Sequence, residues 1–176
     1  MSDNFNRADE YCPGDLCIHD NTLQVLPDHF AVGSNYIDWY TGVYPTTFLG
    51  NVSILSRNAD TYSGIGFWDA GSAIYRVGEL SAGWGQRVYL EYDTYDAMGN
   101  LESTTGLGNS ASNLPPGPGK LTVDANSSTR RIKVYWNGVL QIDFTETDTS
   151  RPNSGGATLF DWGGGYAVLD DLLLEQ

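Results

Sequence analysis

Apolar and polar residues alternate along most of this chain, and no segment keeps a sustained helical spacing. In Gln86–Tyr95, Val88, Leu90 and Tyr92 fall on one side of an extended strand, and Tyr89, Glu91, Asp93 and Tyr95 on the other. Ile132, Val134 and Trp136 oppose Arg131, Lys133 and Tyr135 in the same way. Leu140, Ile142 and Phe144 oppose Gln141 and Asp143, and Ile65 and Phe67 oppose Trp68. The apolar member of each set is expected to face a core.

The same pattern predicts further strands at Leu16–His19, Thr22–Leu26, Thr47–Arg57, Ser63–Asp69, Ala73–Gly78, Lys120–Ala125, Ala157–Asp161 and Tyr166–Glu175. Turn residues separate them: Asp20-Asn21, Asn58-Ala59-Asp60, Ala70-Gly71-Ser72 and Asp96-Ala97-Met98-Gly99-Asn100. Asn137-Gly138, between two of the strands, is a strong hairpin signal. The Pro-rich stretch Gly108–Gly119 reads as a loop, since the strand pattern resumes after it. Many short antiparallel strands at regular spacing predict an all-β fold, a two-sheet antiparallel β-sandwich of jelly-roll kind. With 176 residues and neither repeat nor linker, residues 1–176 read as a single domain.

Composition narrows the function classes. The net charge is −13, with only 9 Lys and Arg, so phosphate backbones and anionic membrane surfaces repel the chain. Nucleic acid is therefore not an expected partner. No apolar run approaches the ~20 residues of a membrane-spanning helix, so no membrane insertion is expected. Met1–Arg7 lacks the apolar core of a signal peptide. Cys12 and Cys17 bracket Pro13-Gly14-Asp15-Leu16. They fit a small disulfide loop, two free thiols, or half of a metal site shared with another chain. No set of His and Cys completes a zinc site.

Asp3-Asn4-Phe5-Asn6-Arg7-Ala8-Asp9 resembles the opening of concanavalin A-like, laminin-G-like domains. Ser53–Arg57 with Tyr62–Trp68 resembles the middle of that family. Lys120–Val123, Ile132–Gly138, Gly155-Gly156 and Leu169-Asp170-Asp171-Leu172 resemble its last third. The segment that carries Cys12 and Cys17 departs from the pattern. The resemblance implies a concanavalin A-like jelly roll whose last strand lies near its first. It also implies one structural Ca2+ where those strands meet, held by Asp3, Asp170 and Asp171, since calcium takes hard oxygen ligands. Domains of this family occur in tailed-bacteriophage virion proteins and in carbohydrate-binding modules. The resemblance thus implies a non-enzymatic capsid-decoration or tail protein, assembled in the host cytoplasm, with other virion proteins and surface glycans as partners. The alternative it implies is a secreted carbohydrate-binding module or a laminarinase-like glycosidase.

Laminarinase-type glycosidases of this fold carry E-x-D-x-x-E on one strand. Glu91-Tyr92-Asp93-Thr94-Tyr95-Asp96 is similar, but places the shorter Asp96 where the second Glu stands. Retaining hydrolysis needs two carboxyl groups ~5–5.5 Å apart, and a turn begins at Asp96. No catalytic residues are therefore expected. Aromatic rings beside carboxylates suit the apolar faces and polar rims of sugars. Trp68, Tyr89, Glu91, Asp93, Tyr95 and Tyr135 are accordingly the expected ligand-binding residues. Trp39, Trp84 and Trp162 stand in turn-rich segments, and Trp136 is in phase with the core. His19 and His29 are too isolated for a triad, and neither a nucleophile elbow nor a phosphate-binding glycine loop occurs.

Overall fold

The computed structural model describes residues 2–3, 16–19, 22–25, 37–44, 48–57, 61–80, 85–110, 113–114, 118–163 and 167–175. Among them there is no helix. The strands are β1 (Ser2–Asp3), β2 (Leu16–His19), β3 (Thr22–Val25), β4 (Ile37–Tyr44), β5 (Phe48–Arg57), β6 (Thr61–Asp69) and β7 (Ala73–Leu80). They continue as β8 (Arg87–Tyr95), β9 (Leu101–Asn109), β10 (Gly119–Asn126), β11 (Arg131–Trp136), β12 (Val139–Thr145), β13 (Gly155–Gly163) and β14 (Ala167–Glu175).

These strands form two antiparallel sheets, the expected jelly-roll sandwich. One sheet runs β12-β11-β10-β5-β14-β3-β2, with β1 also paired to β14. The other runs β4-β13-β6-β7-β8-β9. The first strand lies beside the last, with Asp3 opposite Leu172. Asn137 and Gly138 both take positive φ, 50° and 77°, between β11 and β12. That is the backbone of the tight hairpin which Asn-Gly favours.

The core lies between the sheets, where most strand phases place it. Leu140, expected to face it with Ile142, is instead 47% exposed, because the β11–β12 register shifts between the two residues. The eight-stranded sheet contributes Val52, Ile54, Leu121, Val123, Ile132, Val134 and Trp136. The six-stranded sheet contributes Ile65, Phe67, Tyr75, Val77, Val88, Leu90 and Leu159. Phe67 stacks on Phe48 at 5.5 Å across the layer and on Tyr75 at 5.6 Å within its own.

Trp68 departs from the alternation. Phe67 pairs with Ala157 and Asp69 with Gly156, so Trp68 is an extra residue in a β-bulge, with φ of 51°. The bulge re-aims its side chain inward. The indole packs edge-on to Phe67 and Tyr75, both at 5.5 Å, and is 1% exposed. Trp68 is therefore a core residue rather than a ligand platform.

A polar tie closes one part of the sandwich. Glu146, just past β12, accepts hydrogen bonds from Tyr75 Oη (3.0 Å), Arg151 Nη1 (2.8 Å) and the Asp148 N–H (2.8 Å). The Arg151 guanidinium in turn lies over the Tyr92 ring at 4.5 Å. The segment after β12 is thereby held to β7 and β8 of the opposite sheet. Burial alone raises the Glu146 carboxyl, but the Asp148 N–H, Arg151 and Tyr75 outweigh it and leave its pKa below 4.5. Burial and then Glu146 push the Tyr75 phenol up.

A carboxyl with a lowered folded-state pKa stabilises the fold fully above its unfolded value, and that contribution drains away as pH falls through the folded value. Denaturant unfolding followed from pH 7 downward is expected to lose stability below about pH 4.3. Glu146→Gln should lower stability at pH 7 by about 1–3 kcal/mol and flatten that acid limb. An unchanged acid limb in the variant would show that the tie is unimportant.

Candidate functional site

The outer face of the six-stranded sheet carries the strand residues that the core does not use. From β8 these are Tyr89, Glu91, Asp93 and Tyr95, in the phase opposite to buried Val88 and Leu90. Cross-strand register sets Arg76 of β7 opposite Glu91, and Gly66 of β6 opposite Arg76. Thr158 of β13 stands opposite Gly66, and Gly106 of β9 opposite Glu91. The Tyr89 phenol lies across Gly106, where a Cβ would come within 2.2 Å of its hydroxyl. Any other residue there would push the hydroxyl end of the ring aside.

Arg76 fixes the middle of this face. It is 1% exposed and donates from Nη1 to Asp93 Oδ2 (2.8 Å) and to Tyr95 Oη (2.5 Å). Its guanidinium also lies 5.5 Å from the centroid of Phe160 and 5.6 Å from that of Tyr95. A cation removed from water is tolerable only with such a match. Asp93 is thereby committed to an ion pair.

Beside this pair opens a cleft of about 460 Å³, lined by Tyr62, Leu80, Tyr89, Glu91, Leu101, Thr104 and Trp162. Tyr62 forms part of the floor. Its hydroxyl lies 3.1 Å from the carbonyl oxygens of both Arg76 and Tyr89, and its ring meets Phe160 edge-on at 4.9 Å. Burial, followed by the charges of Glu91 and Asp93, pushes the Tyr89 phenol up. A smaller pocket of about 260 Å³ on the same face is lined by Asp69, Ile74, Arg76, Tyr95 and Thr158, among others.

Asp96 does not join Glu91 on this face. It stands in the turn after β8, where its Oδ1 accepts from the N–H groups of Met98 (2.8 Å) and Asn100 (2.9 Å). The side chain and N–H of Asn100 hold its carboxyl below the usual range. Asp96 thus shapes the β8–β9 turn.

The structure gathers Tyr89, Glu91, Asp93 and Tyr95 on one face, and separates the remaining expected ligand residues from them. Trp68 is in the core. Tyr135 lies on β11 in the other sheet, facing away from buried Val134 and Trp136. Backbone pairing sets Asp3 opposite Leu172 and Asp170 opposite Ser53, with Asp171 in the irregularity between registered pairs. The side chains of Asp3, Asp170 and Asp171 lie outside the described ones, as do Cys12 and the Cys17 side chain.

Tyr62, Arg76, Leu80, Leu101 and Thr104 are additions that sequence reasoning missed. Arg76 carries a visible signal, a lone cation inside the otherwise apolar run Ala73-Ile74-Tyr75-Arg76-Val77. Trp162, which the sequence places in a turn-rich segment, belongs to β13 and lines the cleft.

The architecture is that of a concanavalin A-like jelly roll, and solved structures share it. A Bacillus subtilis protein of unknown function with a galectin-like fold superposes with TM-score 0.66 at 10% identity, covering 93% of this chain and 86% of its own. A Bacillus licheniformis β-glucanase superposes at 0.59 with 14% identity, covering 100% and 97%. The carbohydrate-binding module CBM66 from Bacillus subtilis superposes at 0.54 with 10% identity, covering 88% and 86%. At such identities the likeness carries the fold alone. No family model matches the chain, and no curated protein does. The neighbours speak to the architecture, and to neither the virion nor the carbohydrate expectation.

Breaking the buried pair has a sharp consequence. Asp93→Asn removes a carboxylate from the desolvated Arg76, so urea unfolding should show a loss of about 3–5 kcal/mol. Arg131→Ala removes the exposed pair with Asp143 (2.5 Å) and should leave the midpoint essentially unchanged. Equal effects from the two substitutions would contradict this account of the face.

Proposed function

We propose that this chain is a glycan-binding domain that holds its ligand in the cleft beside the Arg76–Asp93 pair and does not cleave it. The observation that carries the reading is the composition of the cleft. Three aromatic residues, Tyr62, Tyr89 and Trp162, join Leu80 and Leu101 around the Glu91 carboxylate and the Thr104 hydroxyl. Apolar walls with a few polar groups match the C–H faces and hydroxyl rims of a sugar. A cleft of about 460 Å³ lies within the size range of small-ligand sites.

The carboxylates argue for binding over hydrolysis. Retaining glycosidases use two carboxyl groups, one as nucleophile and one as proton donor. Here Glu91 lines the cleft, Asp93 is bound to Arg76, and Asp96 is engaged in a turn. The sandwich neighbours include both a β-glucanase and a carbohydrate-binding module, so the fold is compatible with either activity.

Titration calorimetry with soluble β-glucan oligosaccharides should therefore detect binding. Trp162→Ala should weaken it by about tenfold, with circular dichroism confirming an intact sandwich. Reducing-end assays on the same glucans should record no turnover by the unaltered protein. Turnover that Glu91→Gln abolishes would replace the binding reading with a glycosidase.

A further inference from the structure

We infer that the cleft and the smaller pocket on the same face act as one groove, which takes an uncharged glycan as an extended chain of several sugar units rather than as a single terminal sugar. This rests on the reading of the cleft as a glycan site and concerns the length and charge of what it takes. Two cross-strand pairs join the pockets. Glu91 lines the cleft, and Arg76, opposite it on β7, lines the smaller pocket. Leu101 lines the cleft, and Tyr95, opposite it on β8, lines the smaller pocket. Directly paired residues on neighbouring strands lie about 5 Å apart, so the two pockets meet within one strand spacing. The length of the groove can be read along β6, which lends Tyr62 to the cleft and Asp69 to the smaller pocket. At ~3.3 Å per residue that run covers roughly 20 Å, and one sugar ring fills only a fraction of it.

Glycines shape the smaller pocket. A Cβ at Gly66 would come within 2.3 Å of Thr158 Oγ1 and 2.7 Å of Ile74 Cδ1, so glycine there lets those two lining residues close together. Gly71, which also lines the pocket, has φ of 81° and open space where a Cβ would stand. Among the described residues, the charged side chains that line the two pockets are engaged within the protein. Arg76 donates to Asp93 and Tyr95, Asp69 accepts from the Gly71 N–H (2.7 Å), and Glu91 has a partner of its own. Rings, hydroxyls and aliphatic carbons make up the rest of the lining, which suits the C–H faces and hydroxyl groups of a neutral sugar. An acidic chain would instead approach a protein of net charge −13. A ligand long enough to enter both pockets makes its second contact intramolecularly, so affinity rises steeply with chain length until both are filled.

The test is calorimetry on the full chain with β-linked glucose oligomers of increasing length, from the disaccharide to the hexasaccharide, and with a uronic acid hexasaccharide. The dissociation constant should fall by about a hundredfold from the disaccharide to the glucose hexasaccharide. The uronic acid hexasaccharide should bind about tenfold more weakly than its neutral counterpart. Gly71→Asn adds a side chain to the lining of the smaller pocket, in a backbone conformation that asparagine tolerates. It should bring the affinity for the hexasaccharide down toward that for the disaccharide and leave the disaccharide unchanged, whereas Trp162→Ala in the cleft should weaken every length. If Gly71→Asn fails to fold, the length series of the unaltered protein decides. A dissociation constant that does not change with length, a length gain that Gly71→Asn leaves intact, or a preference for the acidic chain overturns the inference and leaves glycan binding standing. Binding of no oligomer at all sinks the glycan reading as well.

Discussion

The buried contact between Arg76 and Asp93 governs the character of the candidate site. A guanidinium that is 1% exposed loses its hydration, and a matched carboxylate, a phenol and flanking rings help to offset that loss. The match fixes Tyr95 and Phe160 around the centre of the six-stranded sheet and uses the acid of Asp93. The cleft lies to one side of this fixed point and the smaller pocket touches it, since Arg76 and Tyr95 line that pocket. The ion pair thus commits one of the carboxylates of this face, which is part of the argument against hydrolysis.

The sandwich makes that arrangement available. A strand has two faces, and β8 gives Val88, Leu90 and Tyr92 to the inter-sheet layer. Its other face is then free to carry Tyr89, Glu91 and Asp93 outward. The same division holds on β13, where Leu159 joins the core and Thr158 and Trp162 line the outer pockets. Ties such as Glu146 with Tyr75 and Arg151 couple the sheets, so the outer face rests on a layer packed from behind.

Alternation made the fold legible wherever one strand face met the core and the other met solvent. The phases of β8 and β11 follow from the residues alone. Leu101–Asn109 was not legible as β9, because Leu-Glu-Ser-Thr-Thr-Gly-Leu-Gly-Asn forms a largely exposed edge strand with no apolar rhythm. Ile37–Tyr44, the opposite edge β4, likewise went unread. Trp68 was misplaced because a single bulge reverses the facing of one residue, and period-two counting cannot register an inserted residue. Half of the site was readable for the same reason as the fold, since Tyr89, Glu91, Asp93 and Tyr95 share one strand. Tyr62, Leu80, Thr104 and Trp162 come from four other strands, and only the pairing order brings them to that strand's side.

The central claim is that ligand is held on the outer face of the six-stranded sheet. It is tested most directly by two-dimensional NMR of the labelled protein during titration with a soluble β-glucan oligosaccharide. The account predicts progressive shifts of the Trp162 indole N–H and of the Tyr89, Glu91 and Thr104 amides. The Trp136 indole, packed in the core, and the amides around Tyr135 on the opposite sheet should stay in place. Shifts centred on Tyr135 and its neighbours, with Trp162 and Tyr89 unmoved, would contradict it.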